Sequence, residues 1–109
     1  MDPELAIKIE RRDDILRRIR KILIERLQVR REPDELDPDT PLFGAGIGLD
    51  SVDSVELIVS IETEFSLKLR QDASGRRYMR TINTMADMIV HLLDEKRQAQ
   101  EAGGADARA

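Results

Sequence analysis

Between about Glu32 and Leu49 the chain carries Pro33, Pro38, Pro41, Gly44, Gly46 and Gly48, a density of breakers through which neither helix nor strand can run. This break sets the architecture, because it forces one element to finish before Glu32 and another to begin near Asp50. A loop of that length in a compact domain is either functional or held down by its own apolar residues. Leu36, Leu42, Phe43, Ile47 and Leu49 are the residues able to hold it.

Ahead of the break, Ile15, Leu16, Ile19, Ile22, Leu23 and Leu27 recur at helical spacing, with Arg17, Arg18 and Lys21 on the other side. Asp2-Pro3-Glu4 has the form of a helix start: a capping carboxylate, Pro at the first helical position and an acid near the positive dipole end. The pattern is compatible with a helix beginning at Pro3 or only near Asp13. Residues 1–12 are therefore either an extension of the first helix or a separate N-terminal extension.

After the break a second helix is expected from Asp50 or Ser51 to about Phe65. Asp53, Glu56, Ser60, Thr63 and Glu64 share its polar side, while Val52, Val55, Leu57, Ile58, Val59, Ile61 and Phe65 fill the rest. An apolar arc that wide predicts packing on several sides, and Glu62 within it must reach an open end of the bundle or snorkel. Ser66 to Asn83 is irregular and basic, with a turn at Asp72, Ser74 and Gly75 and a short helix expected around Tyr78. Thr84, with Asp87 three residues on, resembles a capped start. Met85, Ala86, Ile89, Leu92 and Leu93 then give one apolar face to about Arg97. Residues 98–109, rich in Ala and Gly, are expected to be a disordered tail.

The 109 residues suit one small domain, here 1–97, too shallow to enclose a deep pocket. Aromatics make up 3%, so the core is aliphatic, with Met79, Met85 and Met88 as adaptable members. With no Cys and the single His91, disulfides, thiolate nucleophiles and histidine metal clusters are excluded, and no metal ligand set is expected. No apolar run approaches a bilayer span and no signal-peptide pattern opens the chain; a soluble cytoplasmic protein is the expectation. The net charge of −4 is uneven. Residues 8–31 hold ten Lys or Arg against four acids, and residues 32–109 hold eight basic against sixteen acidic residues.

The most informative stretch is Gly48-Leu49-Asp50-Ser51-Val52-Asp53-Ser54-Val55-Glu56-Leu57. It places a Ser hydroxyl where a glycine-rich loop becomes a helix, and a phosphate ester at such a helix start is electrostatically favoured. The glycines leave room for another protein to approach. Taken alone, an Asp-Ser pair before an apolar helix is also an ordinary cap.

This stretch resembles the phosphopantetheine attachment signature of acyl carrier proteins: an Asp-Ser pair, an apolar residue, an acid, a second hydroxyl and a Glu-Leu pair. Ile61-Glu62-Thr63-Glu64-Phe65 is similar to the end of that family's second helix, and Thr81-Ile82-Asn83-Thr84-Met85 to the entry of its last. The likeness runs from about Asp14 to Glu95. It implies an all-α, four-helix bundle, three main helices plus a short third, with a long loop between helices 1 and 2. It also implies that the chain is not an enzyme. A phosphopantetheinyl transferase would load 4'-phosphopantetheine from coenzyme A onto Ser51, and no residue would serve as a catalytic acid or base. The arm's thiol would carry acyl groups as thioesters, and acyl chains can slip between the helices in this family. Asp50, Asp53 and Glu56, with Val52 and Leu49, would form the face recognised by ketosynthase-type and other biosynthetic enzymes bearing basic patches.

The chain departs from the family in three places. The first helix is basic and starts about ten residues early, Gly44-Ala45-Gly46 lengthens the loop, and Ser66–Arg80 is long and basic. These departures imply a specialised carrier for lipid, fatty-acid or polyketide-type synthesis. A peptidyl or D-alanyl carrier shares the same attachment chemistry. A different class, an adaptor binding nucleic acid or anionic membrane through the basic helix, is opposed by the acidic body and scarce aromatics. A monomer without nucleic acid or stable membrane insertion is expected.

Overall fold

The computed structural model describes residues 2–69 and 77–106. Its elements are α1 (Pro3–Glu25), a single 3-10 turn (Pro33–Glu35), α2 (Ser51–Phe65) and α3 (Ile82–Asp106). Among the described residues there is no strand, only an isolated bridge between Phe43 and Leu49.

The first helix begins at Pro3, which settles the alternative left open by periodicity: Asp2 Oδ1 accepts the Glu4 N–H at 3.1 Å. It ends where Gln28 takes a left-handed conformation (φ 57°) and the Val29 N–H turns back to the Leu23 carbonyl at 3.0 Å. Ile15, Ile19, Ile22 and Leu23 are buried and pack α1 against both α2 and α3. The core they join is completed by Leu57, Ile61 and Phe65 of α2 and by Ile82, Met85, Ala86, Met88 and Ile89 of α3.

Much of the basic charge on α1 is neutralised within the fold. Arg11 pairs with Asp94 at 2.8 Å, Arg12 with Asp87 at 2.6 Å, and Arg17 with Asp14. Arg18 reaches Glu64 at 2.7 Å and lies 4.3 Å over the Phe65 ring, so its guanidinium joins α1 to α2 by charge and by stacking.

Three expectations are corrected. The second helix is not packed on several sides: Val52, Val55 and Val59 are 75%, 62% and 52% exposed, whereas Ser60 is buried. Leu57, Ile61 and Phe65 are its buried apolar residues, and the wheel cannot tell a covered apolar position from an open one. The last helix is capped one turn earlier than expected, at Thr81, whose Oγ1 accepts the Thr84 N–H at 3.1 Å while Thr84 Oγ1 accepts the Thr81 N–H at 3.0 Å. The same helix continues past Arg97 to Asp106, because Gln98, Ala99, Gln100 and Glu101 are good helix formers that prolong a nucleated helix without a core to pack on. The short helix expected around Tyr78 is described only from Arg77 on, where Tyr78 and Met79 form a turn; the turn expected at Asp72, Ser74 and Gly75 lies outside the described residues.

Glu62 resolves its position at the end of α2 by accepting the Leu69 N–H at 2.9 Å. Among the described residues no helix is long and apolar enough to cross a membrane.

Candidate functional site: a serine at a helix start beside an apolar cleft

Leu36, Leu42 and Leu49 are buried and pin the long loop to the bundle. The Leu42 N–H donates to the Arg80 carbonyl at 2.8 Å, and the Leu49 N–H donates to the Leu42 carbonyl at 3.0 Å. Between them the chain makes a tight turn in which the Ile47 N–H donates to the Pro41 carbonyl at 2.8 Å. Gly46 faces that carbonyl so closely that a Cβ would lie 1.9 Å from its oxygen. Gly48, at φ 91°, then takes a left-handed conformation suited to glycine. The glycines are parts of a tied turn that delivers Asp50.

Asp50 is the N-cap of α2 and Ser51 its first residue. The Asp53 N–H donates to Asp50 Oδ1 at 2.9 Å, and the Asp50 N–H donates to Asp53 Oδ2 at 3.0 Å, a reciprocal box that fixes the first turn. Ser54 Oγ donates to the Ser51 carbonyl at 2.6 Å. Both acids and the second hydroxyl are thus engaged in holding the turn. Ser51 is exposed, and among the described residues its hydroxyl makes no hydrogen bond.

Ser51 lines a cleft of about 820 Å³. Phe43 and Leu49 from the loop, Val55 and Ile58 from α2, and Met79 from the segment before α3 give it an apolar lining, with Asp50, Ser54, Arg80 and Thr81 as further polar members. That last segment is held in place by Thr84, whose Oγ1 donates to the Tyr78 carbonyl at 2.7 Å. Asn83 secures the same corner: its N–H donates to the Pro38 carbonyl at 3.0 Å and its Nδ2 to Asp39 at 2.6 Å.

The residues expected around Ser51 fall into three groups. Glu56 and Val52 are exposed on α2; Asp50 and Asp53 belong to the capping box; Leu49 is only 7% exposed and lines the cleft. Met79, Arg80 and Thr81 were not expected at the site. Their segment has no periodicity, and the Leu42–Arg80 backbone bond ties it to the loop that leads to Ser51. His91 is exposed and pairs with Glu95 at 2.9 Å. Among the described residues no group of three or more His, Asp or Glu could hold a metal ion.

Residues 17–89 match the family of the phosphopantetheine attachment site. Among curated proteins, the acyl carrier protein of Caulobacter vibrioides is 33% identical over 82 residues, which is 75% of this chain and 95% of that protein. The acyl carrier protein of Phenylobacterium zucineum is 38% identical over 76 residues, 70% of this chain and 86% of that protein.

The chain belongs to the acyl carrier protein family.

A further acyl carrier protein, from Cylindrotheca sp., is 33% identical over 85 residues, covering 78% of this chain and 96% of its own length. The family match begins within α1 and leaves residues 3–16 of that helix outside it. The prosthetic group of an acyl carrier protein is covalently attached 4'-phosphopantetheine, and the geometry suits it. An exposed hydroxyl stands at the positive end of a helix, where a phosphodiester is stabilised, beside a mostly apolar cleft that can receive a flexible chain.

Proposed function

We propose that this protein carries acyl intermediates on a 4'-phosphopantetheine arm attached to Ser51 and passes them between biosynthetic enzymes without catalysing a step itself. The observation behind this reading is the exposed Ser51 at the start of α2, within the span matching the attachment-site family. The arm supplies a terminal thiol that holds acyl groups as thioesters. The chain has no Cys, so that thiol meets no competing one in the protein.

The chain's own residues do three things. The Asp50–Asp53 box fixes the first turn so that Ser51 projects in one orientation. The tied turn at Gly46 keeps the loop clear of the hydroxyl. The face of α2 bearing Val52, Val55, Val59 and Glu56 stays open, an apolar stripe edged by acid that suits partners with basic rims. A phosphopantetheinyl transferase is the first of these partners, and enzymes of lipid, fatty-acid or polyketide-type synthesis in the cytoplasm are the later ones. The extended α1 favours a specialised pathway.

The adaptor reading is weakened by the ion pairs that turn Arg11, Arg12, Arg17 and Arg18 onto carboxylates of the same chain. Incubation of the apo protein with coenzyme A, magnesium and a broad-specificity transferase tests the proposal. One arm's mass should be added to the wild type and none to Ser51→Ala of equal helicity. Addition at another residue, or none with several transferases, would overturn it.

A further inference from the structure

The cleft beside Ser51 is apolar on most of its lining, yet it contains an arginine. Among the described residues Arg80 is the single cationic residue lining it, and it is exposed. Its backbone carbonyl is anchored by the Leu42 N–H at 2.8 Å, so the residue's position relative to the loop is fixed. Among the described residues its guanidinium has no carboxylate partner, in contrast to Arg11, Arg12, Arg17 and Arg18.

The local charge makes this placement consequential. Asp50 and Asp53 already put two carboxylates in the turn that holds Ser51. A phosphodiester on Ser51 Oγ adds a third negative charge within a few ångströms, and like charges at that distance repel. The helix start offsets part of this, and a cationic residue lining the same cleft offsets more. A guanidinium also pairs with phosphate oxygens through two parallel N–H donors, which restricts direction as well as distance.

We propose that Arg80 holds the arm's phosphodiester and thereby directs the arm along the apolar cleft toward Ile58 and Met79 instead of into solvent. Arg80 is a positioning residue in this role, and the proposal rests on Ser51 being the attachment site.

The test uses the holo protein with a free thiol, so that the phosphodiester is the arm's only anion and no cargo carboxylate competes. Because the chain has no Cys, a nitroxide reagent labels the arm's thiol alone. Attachment at Ser51 is first confirmed by mass; if that fails, the carrier reading fails and the Arg80 proposal has no arm to act on. With the arm in place, the label should broaden the methyl signals of Ile58 and Met79. In Arg80→Gln the enhanced relaxation should fall about fivefold, the loss that follows removal of one well-placed exposed charge pair. The phosphorus-31 signal should shift with it. Arg80→Lys should restore part of both effects, and 1 M salt should reduce the wild-type signal toward that of Arg80→Gln. Equal relaxation and an unchanged phosphorus signal in Arg80→Gln, with the apo spectra of the two proteins superimposable, would overturn the proposal. So would a large change at Asp50 and Asp53 in apo Arg80→Gln, since it would mean that Arg80 serves the carboxylates and not the arm.

Discussion

Asp53 and Glu56 lie three residues apart on α2, and the structure predicts that their loss is felt in different measurements. The Asp53 carboxylate accepts the Asp50 N–H at 3.0 Å as half of the capping box. Asp53→Ala removes that bond, a loss of about 1 kcal/mol, together with an acid in the first turn that contributes about 0.5 kcal/mol through the helix dipole. A sum of about 1.5 kcal/mol corresponds to a fall in Tm of about 6 °C for a domain of this length. Glu56 is exposed, and its carboxylate's only hydrogen bond among the described residues is a long one of 3.5 Å from Ser60 Oγ. Glu56→Lys should therefore change stability by no more than about 0.5 kcal/mol. Its effect belongs to the encounter with the transferase. Reversing one charge about 6 Å from a partner cation in bulk water alters the interaction by about 1.4 kcal/mol, a tenfold slowing of arm transfer at low salt. The slowing should shrink in 1 M salt, where the screening length is about 3 Å. Thermal unfolding of both apo variants and transfer kinetics at two salt concentrations supply the readouts. Arg17→Glu with Lys21→Glu is the control, because those residues line a separate groove with Pro33 and Asp34; transfer should be nearly unchanged. An unaltered Tm in Asp53→Ala would refute the capping argument. Equal slowing by the control pair and by Glu56→Lys would refute a local acidic face and point to net charge instead.

Other substitutions probe the scaffold. Gly46→Ala should destabilise the protein by about 1–3 kcal/mol and slow arm transfer, since its Cβ would collide with the Pro41 carbonyl and displace the turn that delivers Asp50; urea unfolding beside transfer kinetics checks both. Leu57→Ala removes a fully buried side chain and should lower the unfolding free energy by about 2–5 kcal/mol, read by urea titration of the apo protein. The Arg11 hydrogen bond holds the Asp94 carboxyl below the usual range. Asp94 is therefore easier to ionise in the folded state, so the pair stabilises the fold above the unfolded carboxylate pKa of about 3.9 and loses that contribution as pH falls through the lowered value. The pair is more than a third exposed on the Asp94 side, so the contribution stays under about 1 kcal/mol. Unfolding of wild type and Arg11→Ala at pH 7 and pH 3 should show a gap at the higher pH that narrows at the lower.

The parts of this fold legible in the sequence are those governed by local chemistry. Proline and glycine between Pro33 and Gly48 mark the loop because they act on their own backbone, and the isoleucines of α1 mark its buried face because a single period suffices. Asp50-Ser51 was readable as a helix start for the same reason. What could not be read depends on which neighbour arrives. Val52, Val55 and Val59 look like core on a helical wheel and are exposed. Ser60 counts as polar and is buried. Thr81 takes the cap that Thr84 was expected to hold, since the two threonines satisfy each other and local preference alone does not rank them. Arg80 enters the site through a backbone bond to Leu42, a contact that no pattern within either segment announces.

The central claim is that a phosphopantetheine arm sits on Ser51, and tandem mass spectrometry of the intact protein from its native host measures this directly. The account predicts a population heavier by one phosphopantetheinyl group, with the fragment ions placing that mass on Ser51 and acyl thioesters as additional increments on the same residue. A protein recovered only at its unmodified mass from cells whose other carrier proteins are loaded, or one modified at a residue other than Ser51, would contradict it.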